Sequence, residues 1–355
     1  MKKLNLLIIM LFVSGLMSCK DDEETNPVIP VTPSTPIVTQ PTAVDSNYVI
    51  VVNEGGFNSS NASISRYNED SKTLLNNVYT LANSTGLGDI GYTISTEGNL
   101  AFIVVNNSGK IVKVSLPDLT LQSTISGFTS PREMVCINNQ IAYVTDLFSN
   151  TISKVSLTSN SITSTIAVQG HTESILFYED YLYIGVMGRN KVLKLDPTTD
   201  TFIDSVEVNQ SPNSMRVDNN GKLWVMCDGG WQGTDVGGLF KINPNDMSIE
   251  LEMDFSAGVS PKKLTSNSTN TEMYYLNGDI FKVSSSITAL PSSAFISSGS
   301  STFYGLAVNP YTGIIYTSDA KDFQQEGEVV VYSASGAELD KVITGIIPGN
   351  FGFYK

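Results

Sequence analysis

Apolar and polar residues alternate along the chain in short runs that Asn, Ser and Gly interrupt. The pattern is clearest between Ser130 and Val168, where turns at Asn138-Asn139, Ser149-Asn150 and Ser159-Asn160 separate four such runs. Alternation of period two, broken by turn residues of this kind, predicts consecutive antiparallel hairpins. Each unit of this length is therefore predicted to form a four-stranded meander.

An apolar-aromatic pair recurs once in each predicted unit, where it opens the second strand. From Phe102 onward, successive aromatic residues lie 41, 40, 41, 50 and 42 positions apart. Hairpin units that repeat at this period are typical of β-propellers, whereas the coils of a parallel β-helix are shorter. The sequence thus predicts an all-β fold, a seven-bladed β-propeller over residues 46–355. The pairs are Ala101-Phe102, Ala142-Tyr143, Leu182-Tyr183, Leu223-Trp224, Met273-Tyr274, Ile315-Tyr316 and, less regular, Tyr48-Val49.

The two ends of the repeat region are predicted to share one blade. The segment from Tyr48 to Val52 resembles a second strand that lacks its first, and the final segment from Gly349 to Tyr354 resembles a first strand with no second strand after it. Pairing these segments would close the ring and hide the sheet edges that an open array exposes. We therefore expect the C-terminal strand to complete the first blade.

The first 45 residues predict export and a lipid anchor. Two lysines and an apolar stretch form a leader over residues 1–18, and small residues precede Cys19, which is expected to become the lipid-modified N-terminus. The alternative is a plain secretory signal with an incidental cysteine. An acidic run at 21–24 and a Pro/Thr-rich stretch make residues 19–45 a semi-rigid tether. The predicted partner of Cys19 is outer-membrane lipid.

The formal net charge of −14 limits the partners of the chain. Nucleic acid requires basic patches, which such a chain is not expected to offer, so no nucleic-acid partner is predicted. Cys136 and Cys227 remain after lipidation of Cys19. They lie in different units, so we expect two buried free thiols rather than a disulfide framework.

The candidate ligand-binding residues lie in loops that a propeller places on one face, around the central channel. Aromatic residues in Gly- or Asn-containing loops would suit a small amphipathic ligand or a protein partner, and Trp231 is the strongest candidate anchor. The alternative is that these rings fold back onto neighbouring blades. The candidates are Phe57, Asn58, Asp89, Arg132, Glu133, Phe148, Glu173, Arg189, Asn213, Trp231, Lys262, Tyr304, Phe323 and Asn350.

Motifs for catalysis or metal binding are weak. The G-x-G-x-x-G pattern from Gly86 to Gly91 precedes a strand rather than a helix, so it predicts a turn and no phosphate site. The only histidine, His171, is expected to be solvent-facing or hydrogen-bonded. Asp146, Asp228 and Asp319 each follow a second strand, where aspartates either cap their own turns or ring a channel around Ca2+. No catalytic residue, resident metal or other cofactor is predicted.

Several motifs resemble those of the YncE-like, DUF5074-type propellers of Bacteroidota surface lipoproteins. The resemblance extends over essentially all of the chain from Tyr48 to Lys355. It rests on Val52-Asn53-Glu54-Gly55-Gly56-Phe57, Asn61-Ala62-Ser63-Ile64, Leu87-Gly88-Asp89, Val104-Val105-Asn106-Asn107-Ser108, Ser130-Pro131-Arg132, Tyr143-Val144-Thr145-Asp146-Leu147, Leu223-Trp224-Val225 and Ile346-Ile347-Pro348-Gly349-Asn350-Phe351. Some members of this wider group capture cobalamin and pass it to a TonB-dependent transporter. The resemblance therefore implies a cobalamin-like ligand and such a transporter as partner.

Taken together, the sequence predicts a non-enzymatic lipoprotein of the outer membrane that faces the cell exterior. Its propeller is expected to bind a small ligand, dock on a TonB-dependent transporter, or do both. One alternative is a metal-dependent hydrolase, lactonase or lyase, since propellers host such enzymes. Another is an adhesion or scaffolding protein of the cell surface.

Overall fold

Seven antiparallel sheets make up the computed structural model, which describes residues 47–230 and 235–354. In chain order the strands are β1 (Tyr48–Asn53), β2 (Ser63–Asn68), β3 (Thr73–Leu75), β4 (Gly91–Glu97), β5 (Leu100–Val105), β6 (Lys110–Ser115), β7 (Thr120–Ser126), β8 (Pro131–Cys136), β9 (Ile141–Asp146), β10 (Thr151–Ser156), β11 (Ser161–Ala167), β12 (His171–Tyr178), β13 (Tyr181–Met187), β14 (Lys191–Asp196) and β15 (Thr201–Glu207). They continue with β16 (Pro212–Val217), β17 (Leu223–Cys227), β18 (Gly238–Ile242), β19 (Ile249–Asp254), β20 (Lys262–Ser266), β21 (Glu272–Asn277), β22 (Asp279–Ser284), β23 (Phe303–Val308), β24 (Ile315–Asp319), β25 (Glu326–Tyr332), β26 (Glu338–Ile346) and β27 (Pro348–Tyr354). The predicted propeller is confirmed. The predicted leader and tether, with Cys19, lie outside the described residues, as does Trp231.

The C-terminal strand closes the ring in the predicted way. Blade 1 has the strand order β27-β1-β2-β3, and Tyr48 pairs with Tyr354 at one end of the β1–β27 ladder. Blades 2 to 7 follow in chain order, beginning with β4, β8, β12, β16, β20 and β23. Each of these innermost strands contacts the innermost strand of the next blade, and β27 contacts both β23 and β4. The seven innermost strands therefore form a closed ring.

Blade 6 differs from the other six blades because it has three strands rather than four. The place of the expected fourth strand is taken by an irregular segment that pairs through a single bridge, Ile280 with Ile296. Pro291 and the serines around it explain the difference, since proline cannot donate to a ladder and the segment lacks a period-two apolar pattern. Phe295 and Ile296 still pack against the adjoining core, so the segment seals the side of the blade.

Helices are few among the described residues. One α-helix, α1 (Val78–Asn83), follows β3 and buries Val78 and Tyr79 against blades 1 and 2. A 3₁₀ turn, Asn106–Ser108, follows β5. Within residues 47–230 and 235–354, no helix has the length and apolar character needed to cross a membrane.

The repeated aromatic residue of the second strand faces a lysine of the third strand in blades 2 to 6. In blades 2 to 5 the Nζ atom of this lysine lies between 5.4 and 5.8 Å from the centroid of the aromatic ring that it faces. The same lysine reaches the following blade: Lys154 Nζ bonds to Asp200 Oδ2 at 2.8 Å, and Lys194 Nζ donates to the Pro244 carbonyl at 2.6 Å. The cross-strand pairs are Phe102–Lys113, Tyr143–Lys154, Tyr183–Lys194, Trp224–Lys241 and Tyr274–Lys282. The aromatic residue that recurs about every 41 residues thus packs against a lysine that joins successive blades.

Candidate functional site

A cavity of about 710 Å³ lies at the centre of the ring. The innermost strand of every blade contributes to its wall, with one representative each in Tyr92, Arg132, Glu173, Asn213, Lys262, Tyr304 and Asn350. The wall combines charged and aromatic groups near the loops with apolar residues such as Leu264, Leu306 and Phe351. The cavity therefore offers both polar and apolar contacts to an occupant.

Bulges at the start of the innermost strands determine which side chains face this cavity. The register shifts between Pro131 and Met134 in β8 and between Lys262 and Thr265 in β20, and β4, β12, β16, β23 and β27 shift at corresponding places. A bulge adds a residue to one strand and re-aims its side chains. Adjacent residues that would alternate in a regular strand, such as Arg132 and Glu133, consequently both line the cavity.

Arg132, Glu173 and Tyr92 form a hydrogen-bonded group on blades 2 to 4. Arg132 Nε donates to Glu173 Oε2 at 2.7 Å, and Arg132 Nη2 donates to Glu173 Oε1 at 2.6 Å. The Tyr92 hydroxyl also donates to Glu173 Oε1 at 2.6 Å, and Arg132 Nη2 bonds to that hydroxyl. The guanidinium lies 3.6 Å from the Tyr92 ring centroid. The group fixes Arg132 against one wall of the cavity, because bidentate geometry and stacking both restrict a guanidinium.

Glu54 and Tyr304 form a second polar contact, between blades 1 and 7. The Tyr304 hydroxyl donates to Glu54 Oε2 at 3.1 Å, while Glu54 Oε1 is buried without a hydrogen-bond partner. Burial raises the pKa of Glu54 above its ordinary value, although nearby lysines oppose the shift. A Cβ atom on Gly349 would lie 2.3 Å from Glu54 Oε1, so glycine is required for this approach.

The remaining charged groups of the cavity are less completely paired. Glu133 Oε2 accepts one hydrogen bond, from Ile175 N at 3.0 Å, and burial raises the pKa of Glu133 to about 7. Burial also raises the pKa of Asp228 and lowers the pKa of Lys262 and of Lys263. The cavity thus holds acids that are poorly stabilised as anions beside lysines that are poorly stabilised as cations.

Seven of the fourteen sequence-predicted ligand residues meet in the cavity. These are Arg132, Glu133, Glu173, Asn213, Lys262, Tyr304 and Asn350. Phe323 lies beside it, with its ring edge-on to Tyr304 at a centroid distance of 5.4 Å, and is 42% exposed. Phe57 and Phe148 are 69% and 62% exposed, and the Phe148 ring also lies edge-on to His171 at the start of β12.

Three other candidates lie away from the cavity wall. Asp89 is buried, and its Oδ2 accepts a hydrogen bond from Asn107 Nδ2 at 2.8 Å. Asn58 Oδ1 accepts from the same amide nitrogen at 3.0 Å. Arg189 donates to Gln169 Oε1 at 2.6 Å and lines a separate groove beside β14 and β15. Asp89 and Asn58 therefore hold the loop around Asn107, and Arg189 faces elsewhere.

His171 and the three aspartates have local structural roles. His171 is exposed, with its ring edge-on to Phe148 and Nδ1 2.5 Å from the Leu147 carbonyl oxygen. Asp146, Asp228 and Asp319 each accept hydrogen bonds from backbone N–H groups of nearby turns. Within the part of the chain that the structure describes, no cluster of three or more His, Cys, Asp and Glu side chains is placed to hold a metal ion.

Cys136 and Cys227 are free; Cys227 is buried, as expected, but Cys136 is only partly buried.

Sequence reasoning missed four polar residues of this region: Glu54, Tyr92, Arg216 and Lys263. Tyr92, Arg216 and Lys263 line the cavity, and Glu54 lies against Tyr304. A signal was available for Tyr92, because it is the second residue of its innermost strand, as are Arg132, Asn213 and Tyr304, which also line the cavity. Lys263 is also the second residue of its strand, but it follows Lys262, and strict alternation directs two adjacent side chains to opposite faces.

Comparison with known families gives a match over most of the described chain. Residues 47–345 match the family described as "Domain of unknown function (DUF5074)". The chain belongs to the DUF5074 family. No curated protein matches its sequence significantly.

Solved structures with this fold include several bacterial propellers. A quinonprotein alcohol dehydrogenase-like protein from Bacteroides thetaiotaomicron is 17% identical, with a TM-score of 0.68 over 87% of this chain and 78% of that protein. A putative 6-phosphogluconolactonase from Bacteroides fragilis is 12% identical, with a TM-score of 0.64 over 89% of this chain and all of the other. Another from Bacteroides uniformis is 14% identical, with a TM-score of 0.63 over 87% of this chain and 99% of the other. At these identities the likeness concerns the fold alone.

Proposed function

We propose that this DUF5074 protein is a non-enzymatic binding protein whose central cavity receives a small ligand. The observation that carries the proposal is the convergence of all seven innermost strands on one cavity of about 710 Å³. That volume lies within the range of about 300–1,000 Å³ of small-molecule sites. Fixed polar groups such as Arg132 and exposed rings such as Phe323 supply orientation and contact area.

A cobalamin-like compound is the first ligand to test, on the basis of the family resemblance. A corrinoid is broad enough to lie across the mouth of the channel, with only its peripheral groups inside. Phe57, Phe148 and Phe323 present exposed rings in the loops around that mouth. Such rings combine apolar surface with few rotatable bonds, which suits both a flat ligand and a protein surface.

Calorimetric titration of the purified protein with cyanocobalamin tests this proposal. We expect saturable one-to-one binding that weakens at least tenfold when Phe57, Phe148 and Phe323 are replaced by Ala together. Leu81→Ala is the control, because Leu81 is also an exposed apolar residue but lies on α1. If cyanocobalamin gives no heat and a panel of glycans and other small metabolites also fails to bind, the binding proposal is wrong.

The lipid anchor and the transporter partner belong to the same proposal. Lipidation at Cys19 would hold the propeller at the outer membrane with its binding face toward the cell exterior, where a TonB-dependent transporter would accept the ligand. Mass spectrometry of the N-terminal peptide from membranes tests the anchor, and co-purification with and without ligand tests the partner. An unmodified N-terminus at residue 20 or beyond would contradict the anchor. Attachment to whole cells in the absence of any small ligand would favour an adhesion role instead.

A hydrolase of the lactonase type is the second candidate. Glu133, whose pKa of about 7 suits a general base, lies in the cavity beside Arg132. The structural likeness to putative 6-phosphogluconolactonases adds only the fold. Release of acid from a panel of sugar lactones, lost in Glu133→Gln and measured with and without chelator, would support this candidate over the binding protein.

A further inference from the structure

We propose that the ligand of the central cavity carries a carboxylate or phosphate group and that Lys262, Lys263 and Arg216 bind it. The inference rests on the proposed function, because it names the chemical class of that cavity's ligand. All three side chains line the cavity. Lys262 and Lys263 are partly buried, whereas Arg216 is exposed to the interior of the channel.

The first reason is that these three cations lack ion pairs in a chain that is rich in acids. Several lysines elsewhere pair with carboxylates: Lys154 pairs with Asp200 at 2.8 Å, Lys321 with Asp319 at 3.0 Å, and Lys282 with Glu272 at 2.9 Å. Across residues 47–230 and 235–354, no carboxylate oxygen lies within 4.0 Å of the charged nitrogens of Lys262, Lys263 or Arg216. The charges of these three side chains are therefore available to an anion.

The second reason is that the carboxylates of the cavity form no ion pair with these three cations: Asp228 accepts from Gly230 N, and Glu54 Oε1 has no hydrogen-bond partner. Glu173 accepts from Arg132 and Tyr92, Glu54 accepts from Tyr304, and Glu133 accepts from Ile175 N. Burial also raises the pKa of Glu54 and Glu133, which weakens their negative charge at neutral pH. The acids of the cavity therefore compensate its lysines only in part.

The third reason is the backbone that aims the two lysines. The bulge between Lys262 and Thr265 brings two adjacent side chains to the same wall. Lys263 has a φ of 60°, a conformation that residues other than Gly, Asn and Asp rarely adopt. Strain of this kind persists where the surrounding structure holds it, and it clusters at binding sites. The bulge and the positive φ together place a second ammonium group in the cavity.

The neighbouring wall indicates that the anion belongs to an organic molecule. Lys262 Nζ lies 4.8 Å from the Tyr304 ring centroid. Leu264, Leu306 and Phe351 continue the wall along the channel. A ligand with an anionic group near the lysines and an apolar or aromatic body would contact both parts of this surface.

A matched set of probes tests the proposal: phenyl phosphate and benzoate as anions, and benzyl alcohol as the neutral counterpart. Dissociation constants for the purified protein would be measured by saturation-transfer NMR. We expect at least one anion to bind ten or more times tighter than benzyl alcohol, and the stronger of the two anions identifies phosphate or carboxylate. The double variant Lys262→Gln/Lys263→Gln should lose at least tenfold in anion affinity while its affinity for benzyl alcohol is unchanged. The matched control, Lys191→Gln/Lys341→Gln, removes two lysines that pair with Glu207 and Glu328 on other strands and should bind like the wild type.

The outcomes separate this inference from the proposed function. Equal binding of the anions and benzyl alcohol, or unchanged anion binding by the double variant, overturns the inference and leaves a ligand-binding cavity. Failure of all three probes to bind counts against both. If the double variant does not fold, the salt dependence of the wild type decides between the outcomes. The affinity for the anions should fall as NaCl is raised from about 50 to about 500 mM, because salt screens ion pairs, whereas the affinity for benzyl alcohol should not fall. Salt-independent anion binding would overturn the inference.

Discussion

Arg132 of blade 3 and Glu173 of blade 4 form a two-fold hydrogen-bonded ion pair across the boundary between their blades. The side chains are 17% and 7% exposed. Removal of one partner from a pair this well shielded leaves the other charge uncompensated, which costs more than loss of a surface pair. The pair therefore contributes both to blade packing and to the shape of the cavity wall.

The first prediction follows from this pair. Glu173→Gln should lower the free energy of unfolding by about 1–3 kcal/mol, because Arg132 loses its charged acceptor while the channel still admits water. Urea denaturation measures the change. Glu207→Gln is the control, since the Lys191–Glu207 pair is at the surface and should contribute no more than about 0.5 kcal/mol. Equal effects of the two variants would show that the Arg132–Glu173 pair has no special role.

The second prediction concerns the contacts that join successive blades. The Tyr143 hydroxyl donates to Asp200 Oδ1 at 2.5 Å, and Asp200 also pairs with Lys154. Tyr143→Phe should cost about 1–2 kcal/mol of stability, because a partly buried hydrogen bond to a charged acceptor is lost. Tyr183→Phe should cost less, since the Tyr183 hydroxyl donates to a neutral carbonyl, that of Pro244, at 3.3 Å. The reverse order of the two melting temperatures would contradict this account.

The third prediction is a pH dependence that originates at Glu133. Its pKa is about 7 in the folded chain because of burial, against an ordinary value of 4.5. Between these values the folded chain binds more protons than the unfolded chain, so stability should fall as pH rises from about 5 to 7. Glu133→Gln removes this contribution. The free energy of unfolding of the variant, minus that of the wild type, should therefore increase by about 1 kcal/mol from pH 5 to pH 8, a value that takes into account screening by water in the channel.

Unfolding curves recorded across this pH range check the sign of the effect. Gln can still accept the hydrogen bond from Ile175 N, so the substitution changes charge with little change in shape. Glu207→Gln, at an exposed site, should leave the pH profile unchanged. A wild-type profile that rises over the same window, with no difference in Glu133→Gln, would place the titration elsewhere.

The fourth prediction concerns closure of the ring. Deletion of residues 348–355 removes β27, which pairs with β1 over its length and lies between β23 and β4. The truncated chain should lose cooperative unfolding or aggregate, because β1 becomes an exposed edge and the cavity loses one of its seven walls. Calorimetry and size-exclusion chromatography provide the measurement. Deletion of residue 355 alone should leave the melting temperature within about 1 °C of the wild type, because changes at the surface usually have small effects on stability.

The candidate site was predictable in part. Arg132, Glu173 and Tyr304 could be placed at the channel mouth because each follows the turn that leads into an innermost strand. Lys263 could not, since its inward direction depends on a bulge and on a positive φ that a lysine rarely adopts. Glu54 could be recognised as a loop residue, but its contact with Tyr304 joins residues 250 positions apart in the sequence.

The sequence by itself determined the blades and their number. Alternation, turn residues and the recurring aromatic of the second strand act within one unit, so the local pattern specifies the sheets, except for the fourth strand expected in blade 6. The unpaired strands at the two ends also indicated how the ring closes. Only the tertiary structure decided which polar groups meet, because bulges redirect side chains and because contacts such as Arg132 with Glu173 depend on how neighbouring blades pack. Repeated short-range patterns in the sequence specify the architecture. The chemistry of the cavity depends on contacts between residues that are far apart in the sequence, and a local pattern does not specify such contacts.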